Sequence, residues 1–117
     1  CAAFNYYCYL QARLQSLVPK SALAATWVKN PTWTQKDGGA TPKPSAAFGI
    51  WGTGSEGNKR IVHTGLVFEW GLNSVTTIEG NTSANAATGS LKDRDGQGVY
   101  KKIRLKKSIY SAKDYIK

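Results

Sequence analysis

The spacing of the apolar residues changes once along this chain, and that change limits the folds it can adopt. Over residues 1 to about 17 the spacing is mostly three or four, which predicts a helix that Pro19 ends. Ser21 predicts the N-cap of a second helix over residues 22–29. From residue 46 the spacing becomes two, which predicts strands over residues 46–51, 61–70, 74–79, 99–105 and 109–116. Helices followed by an antiparallel sheet indicate an α+β fold, with N-terminal helices packed on a small sheet.

Length and composition indicate a single domain over residues 1–117. A chain of 117 residues, 41% of them apolar, is large enough to form one core. Residues 30–44 are rich in proline and glycine, which predicts a loop, and residues 81–98 predict a polar surface loop. Polar residues interrupt the longest apolar stretch, so no run reaches the ~20 residues of a membrane helix. We therefore expect no membrane span.

Positive charge dominates the chain, with 16 Lys and Arg against 7 Asp and Glu and a net charge of +9. Such a balance favours polyanions: nucleic acid, anionic lipid or the teichoic acids of a cell wall. Alternation in one predicted strand and the residues after it indicates an exposed basic face: Lys101, Lys102, Arg104, Lys106 and Lys107. This face either binds anionic wall polymers or is a solvated edge that discourages strand pairing. We expect no nucleic acid partner, because Tyr100 alone does not supply the clustered aromatic residues that such binding uses.

A cysteine, the single histidine, and a carboxylate near an amide have the residue types of a Cys-His-acid hydrolytic site. Cys1 stands at the start of the first predicted helix, where the backbone dipole stabilises a thiolate. His63 lies in the second predicted strand, and a tight turn places Glu79, at the end of the third, beside it. Glu79 and Asn81 face the same way in an extended chain. Either is therefore a candidate to bind the far ring nitrogen of His63.

Each of these residues also has a structural interpretation. A cysteine in a helix is commonly a small buried apolar residue, which is how we interpret Cys8. A histidine in a strand is often structural, and Glu79-Gly80-Asn81 by itself would form a turn. One histidine and two cysteines lack the ligand count and spacing of a zinc site, so we expect no metal and no other cofactor.

Several short motifs occur in a characteristic order: Cys1-Ala2-Ala3-Phe4, Pro42-Lys43-Pro44 leading into Phe48-Gly49-Ile50-Trp51, His63-Thr64-Gly65, Thr77-Ile78-Glu79-Gly80-Asn81-Thr82-Ser83 and Gly98-Val99-Tyr100. This order resembles that of CHAP domains, the cysteine, histidine-dependent amidohydrolase/peptidases of bacterial and phage cell-wall hydrolases. The resemblance spans nearly the whole chain. It implies a papain-like, NlpC-like fold, no cofactor, and bacterial peptidoglycan as the substrate.

The resemblance also implies a role for each candidate residue. Cys1 would be the nucleophile, His63 the general base and Glu79 the group that orients the imidazole, with Asn81 as a further polar residue of the site. The bond cleaved would be the muramoyl-alanine amide, as in an amidase, or an amide of the stem peptide or cross-bridge, as in an endopeptidase. The sequence leaves both open.

Trp51, Trp33 and Trp70 are candidates to line a substrate groove, although aromatic residues are as often part of a core. CHAP domains usually carry the nucleophile well inside the chain, so we expect an upstream segment that walls the groove. The resemblance places the activity at the bacterial cell wall, in a secreted or phage-delivered enzyme that acts as a monomer. The alternative from another class is a non-catalytic module on the same fold that binds the wall or another polyanion.

Overall fold

The structure, a computed structural model, describes residues 1–54, 56–82 and 98–116, and for Asn81 and Thr82 it describes the backbone alone. In these residues two α-helices accompany one antiparallel sheet of seven strands. The predicted α+β class and antiparallel sheet are confirmed. Most of the loop predicted over residues 81–98 lies outside the described residues.

The first helix, α1 (Ala2–Gln11), begins directly after Cys1, which occupies the N-cap position. The helix starts where predicted but ends earlier. Arg13 adopts a φ of 61°, a left-handed conformation that interrupts a right-handed helix. A short 3₁₀ turn, Gln15–Leu17, follows it. The predicted end is wrong because Leu14 continues the apolar spacing past this break.

The second predicted helix is reduced to one turn, α2 (Ala24–Trp27), with Leu23 at the N-cap position. The Ser21 hydroxyl accepts a hydrogen bond from the Leu23 backbone N–H at 3.1 Å, just before that turn. Trp27 is fully buried and donates its indole N–H to the Ser21 carbonyl at 3.1 Å. Burial of this side chain, and not helix length, fixes the segment on the protein.

Seven strands make up the sheet: β1 (Trp33–Thr34), β2 (Gly38–Gly39), β3 (Ala47–Thr53), β4 (Lys59–Trp70), β5 (Ser74–Thr82), β6 (Gly98–Leu105) and β7 (Ser111–Lys113). Their order across the sheet is β2-β1-β7-β3-β4-β5-β6. Strands β3 to β7 correspond to the five predicted strands. β1 and β2 lie in the stretch predicted as a loop, because two residues each are too few to show a period of two.

The sheet is buried on both faces, and alternation along each strand decides which core a residue joins. The face that contacts α1 and α2, here the helix face, carries one apolar cluster: Ala2, Tyr9, Trp27, Ala47 and Leu66. The opposite face, here the far face, carries a second cluster: Ala46, Phe48, Ile50, Val67, Val75, Ile109 and Ala112.

Strand β6 is oriented opposite to the prediction. Arg104 is 2% exposed and Lys102 is 9% exposed, whereas Ile103 between them is 78% exposed. The predicted single basic face of Lys101, Lys102, Arg104, Lys106 and Lys107 is therefore wrong for two of its members. The alternation exists, but Arg104 is turned inward because a buried carboxylate, Glu79, pairs with it.

Candidate active site

His63 on β4 and Glu79 on β5 form a buried pair. The Nε2 atom of His63 lies 2.6 Å from Oε1 of Glu79, and neither side chain is exposed. β4 and β5 are consecutive antiparallel strands whose pairing begins at Trp70–Val75, next to the turn that connects them. This hairpin places together the two residues that the sequence predicts as base and orienting acid.

Close approach of the pair depends on Gly65, the last residue of the His63-Thr64-Gly65 motif. A Cβ atom at this position would lie 2.8 Å from Cγ of Glu79 and 2.8 Å from the Phe48 ring. Both contacts are too short for a packed core, so any larger residue would push Glu79 out of place. The lack of space for a side chain therefore explains why this motif ends in glycine.

Among the described residues, side chains donate three further hydrogen bonds to the Glu79 carboxylate. Thr77 donates its hydroxyl to Oε2 at 2.5 Å, and Arg104 donates Nε to Oε2 at 2.6 Å and Nη2 to Oε1 at 2.5 Å. Burial raises the pKa of Glu79, but the hydrogen bonds and charges of Arg104 and His63 outweigh burial and lower this pKa to about 2. Glu79 is therefore ionised at neutral pH.

The ionised carboxylate determines which nitrogen of His63 carries a proton. A carboxylate can only accept hydrogen bonds, so Nε2 of His63 donates to Glu79. In the neutral ring the other nitrogen, Nδ1, is then a bare base. Nδ1 is buried and has no hydrogen-bond partner among the described residues. A buried polar atom left in this state needs an explanation, and a role in proton transfer is one.

Cys1 lies at the N-cap of α1, where the helix dipole favours a thiolate. It is half-buried and packs against an apolar cluster that Ala24, Val28 and Ile61 form. Ile61 precedes His63 by two residues on β4. The start of α1 therefore lies at the end of β4 that carries His63.

The helix α1 is docked along β4 by a buried side chain, Asn5. Its amide Nδ2 donates to Oγ1 of Thr64 at 3.1 Å and to the carbonyl of Gly65 at 3.4 Å. On the β5 side, a Cβ atom at Gly80 would lie 2.5 Å from Cβ of Phe4, so α1 approaches β5 directly at this glycine. The helix of the predicted nucleophile thus contacts both strands that carry the His63 and Glu79 pair.

Neighbouring residues of β4 point to opposite faces of the sheet at this end. Thr64 contacts α1 on the helix face, whereas the His63 ring contacts Phe48 on the far face, with ring centroids 6.3 Å apart. Backbone pairing between β4 and β5 ends at Leu66–Ile78. Towards His63, the two strands are joined by the side-chain contact between His63 and Glu79. Cys1 lies at this same end of β4, on the helix face.

Of the three predicted tryptophans, Trp51 lies on β3, the strand beside that of His63. It follows Ile50, which pairs with His63 across β3 and β4. Trp51 is 47% exposed and stacks on Tyr110, with ring centroids 5.0 Å apart. The two rings border a surface cavity of about 270 Å³.

Trp33 and Trp70 contact each other instead. Their rings meet edge to face at 4.7 Å and pack against the far-face core. Trp70 is seven residues from His63 along β4, roughly 20 Å in an extended strand. The structure does not bring these two side chains to the pair.

The remaining predictions concern Cys8 and Asn81. Cys8 is half-buried beside the helix-face core, and burial raises the pKa of its thiol, which disfavours a thiolate. Among the described residues, neither cysteine is in a disulfide. The backbone of Asn81 belongs to β5, but its side chain lies outside the described part of the structure, so its role stays a prediction.

Sequence reasoning missed Thr77, Arg104 and Asn5. Thr77 carries a usable signal, because a residue two before Glu79 in a strand points to the same face. Arg104 and Asn5 carry no such local signal, because their partners are 25 and 59 residues away in sequence. Only the register of β6 and the docking of α1 reveal them.

The described ranges contain no group of three or more His, Cys, Asp and Glu side chains that could hold a metal ion. None of the helices in those ranges has the length and apolarity to cross a membrane. No family model matches the chain, and comparison with curated proteins and with solved structures gives no match either.

Proposed function

We propose that this chain is a CHAP-type cysteine hydrolase, papain-like in fold, that cleaves an amide bond of bacterial peptidoglycan. The observation that carries the proposal is the buried pair in which Glu79 accepts from Nε2 of His63 and Nδ1 is left bare. A Cys-His-acid mechanism requires such a nitrogen to exchange a proton with the nucleophile and the leaving group. The helix that Cys1 begins runs along the same strand, on the face opposite the His63 ring, so the reaction requires the Cys1 thiolate to reach Nδ1 around the end of β4.

In this mechanism the Cys1 thiolate attacks the amide carbonyl carbon, and a backbone N–H at the start of α1 stabilises the oxyanion. The His63 imidazolium gives its proton to the amine nitrogen, the C–N bond breaks, and a thioester remains on Cys1. His63 then takes a proton from water, and the resulting hydroxide attacks the thioester carbonyl carbon. The C–S bond breaks, the carboxylic acid leaves, and the Cys1 thiolate and His63 imidazolium are restored. Glu79 holds the imidazole through both steps.

Trp51 and Tyr110 are the substrate contacts that the geometry favours. Their stacked, half-exposed rings border the cavity next to the strand that pairs with β4. A flat aromatic surface of this kind suits the apolar face of a sugar ring or a stem-peptide side chain. In this proposal the enzyme acts at the bacterial wall, secreted or delivered by a phage, and Trp33 and Trp70 stabilise the core.

The test is incubation of purified peptidoglycan with the unchanged protein and three variants, followed by mass spectrometry of the soluble products. Cys1→Ser and His63→Ala should each release no products, while Cys8→Ser, the matched thiol control, should retain most of the activity. The masses distinguish cleavage at muramoyl-alanine from cleavage within the stem or cross-bridge. An inactive Cys8→Ser beside an active Cys1→Ser would overturn the assignment.

One observation favours the non-catalytic alternative. The exposed Trp51–Tyr110 stack has Lys107 beside it, and together they could bind a wall polymer without any reaction. In that case the unchanged protein would sediment with wall material, Cys1→Ser would bind equally well, and no products would form.

A further inference from the structure

Arg104 lies inside the protein although its sequence context predicts an exposed basic face. The side chain is 2% exposed, and it donates Nε to one oxygen of Glu79 and Nη2 to the other. A guanidinium group matches a carboxylate with two parallel donors, which a lysine cannot do. Arg104 is therefore a specific partner of Glu79 and not a surface charge.

The hydrogen bonds leave the Glu79 carboxylate a single orientation. Oε1 is shared by His63 and Arg104, and Oε2 is shared by Thr77 and Arg104. Arg104 is the one of these partners that contacts both oxygens, so it fixes the plane of the carboxylate. Rotation out of that plane would break the bond to Nε2 of His63 together with both arginine bonds.

We propose that Arg104 is a positioning residue: by fixing the Glu79 carboxylate, it selects the imidazole tautomer of His63 with the proton on Nε2 and Nδ1 bare. The catalytic consequence rests on the proposed function, whereas the effect on the tautomer does not. The low pKa of Glu79, to which Arg104 contributes, supports the same role. A merely structural ion pair would stabilise the fold without controlling the ring.

His63 is the single histidine of the chain, so one ¹⁵N spectrum of labelled imidazole reports its tautomer directly. At a pH where the ring is neutral, the unchanged protein should show a protonated Nε2 and a bare Nδ1. Arg104→Gln should give a mixture of both tautomers. Thr77→Val, the matched control, removes one donor to Oε2 but keeps the arginine fork, and it should retain the single tautomer.

Kinetics on soluble muropeptides adds a second readout. Arg104→Gln should lower kcat by roughly 10–100-fold with little change in KM. Arg104→Lys keeps the charge but not the two parallel donors, so its kcat should lie between that of Arg104→Gln and that of the unchanged protein. An unchanged tautomer and kcat in folded Arg104→Gln would overturn the proposal. If that variant does not fold, the same two measurements on Arg104→Lys decide.

The two proposals fail in different ways. If Arg104→Gln mixes the tautomers but even the unchanged protein cleaves no peptidoglycan, the hydrolase proposal is wrong and the positioning role of Arg104 stands. If the unchanged protein is active and the tautomer of folded Arg104→Gln does not change, the positioning role is wrong and the hydrolase proposal stands.

Discussion

Two adjacent residues of β4 belong to buried polar clusters of different character. His63 joins a charged cluster on the far face, with Glu79 and Arg104. Thr64 joins a neutral cluster on the helix face, where it accepts from Asn5 and donates to the Phe48 carbonyl at 2.6 Å. Each cluster contains one buried polar atom without a partner among the described residues: Nδ1 of His63 and Oδ1 of Asn5.

The difference between the clusters separates two functions. Burial of charged groups is far more costly than burial of neutral ones, and apolar residues often replace a buried ion pair without loss of stability. A neutral cluster is therefore sufficient to dock a helix on a strand. The charged cluster goes beyond what packing needs, so the proposed chemistry belongs to this cluster, and the neutral cluster docks α1.

The largest effect is expected when the charged cluster loses its acid. Glu79→Gln keeps the size of the side chain but removes the charge, so the imidazole is no longer held in one tautomer. We expect kcat to fall by roughly 10²–10⁴-fold and KM to change much less, as measured by steady-state kinetics on soluble muropeptides.

Asn81→Ala is the matched comparison for this variant, because Asn81 is the other candidate partner of His63. A far larger loss of kcat in Asn81→Ala than in Glu79→Gln would show that the two roles are exchanged. The Glu79–His63 contact would then be structural.

Acid should also destabilise the protein through Glu79. The pKa of this group is about 2 in the folded protein, against an ordinary value of 4.5. The stabilising contribution is therefore fully present above about pH 4.5 and is lost as the pH falls towards 2, with a size on the order of 3 kcal/mol. Arg104 stays charged throughout this range.

Urea unfolding at a series of pH values checks this prediction. The free energy of unfolding of the unchanged protein should fall more steeply below pH 4.5 than that of Glu79→Gln, which has no carboxylate to protonate at this position. Parallel curves for the two proteins would contradict the depressed pKa.

Removal of the neutral cluster should affect stability more than chemistry. Asn5→Ala deletes the hydrogen bonds to Thr64 and Gly65, and we expect a loss of about 1–3 kcal/mol in the free energy of unfolding. The kcat of the folded fraction should fall by less than ~10-fold, because the His63 and Glu79 pair lies on the other face. A loss of kcat as large as that of Glu79→Gln would show that Asn5 also aligns Cys1 for reaction.

Local patterns predict part of this arrangement and long-range packing decides the rest. The hairpin that joins His63 to Glu79 is predictable, because two strands and a short turn lie close together in sequence. The partner of Arg104 cannot be predicted in this way, because alternation shows that β6 has two faces but does not show which face is buried. The break of α1 at Arg13 is also unpredicted, because a left-handed residue leaves no trace in apolar spacing.

The smallest effect is expected from the basic residues that remain accessible at β6 and just after it. Lys101 lies over the Phe68 ring at 3.9 Å, and Lys106 lies over the Trp70 ring at 5.3 Å. Exposed charges attract polyanions weakly and are screened within about 8 Å at physiological ionic strength. Replacing both with Gln should therefore weaken binding to walls that carry teichoic acids by only ~2–5-fold at low salt, and not at high salt.

A matched control separates the position of these charges from their number. Lys20 and Lys29 are exposed at the helix side, and replacing both with Gln changes the net charge by the same amount. Sedimentation with wall material at several salt concentrations compares the two double variants. If the β6 pair provides a binding face, only its replacement reduces the salt-dependent binding. Equal losses in both would mean that the net charge of +9 acts as a whole, and that β6, like its inward Arg104, serves the structure of the site and not the wall.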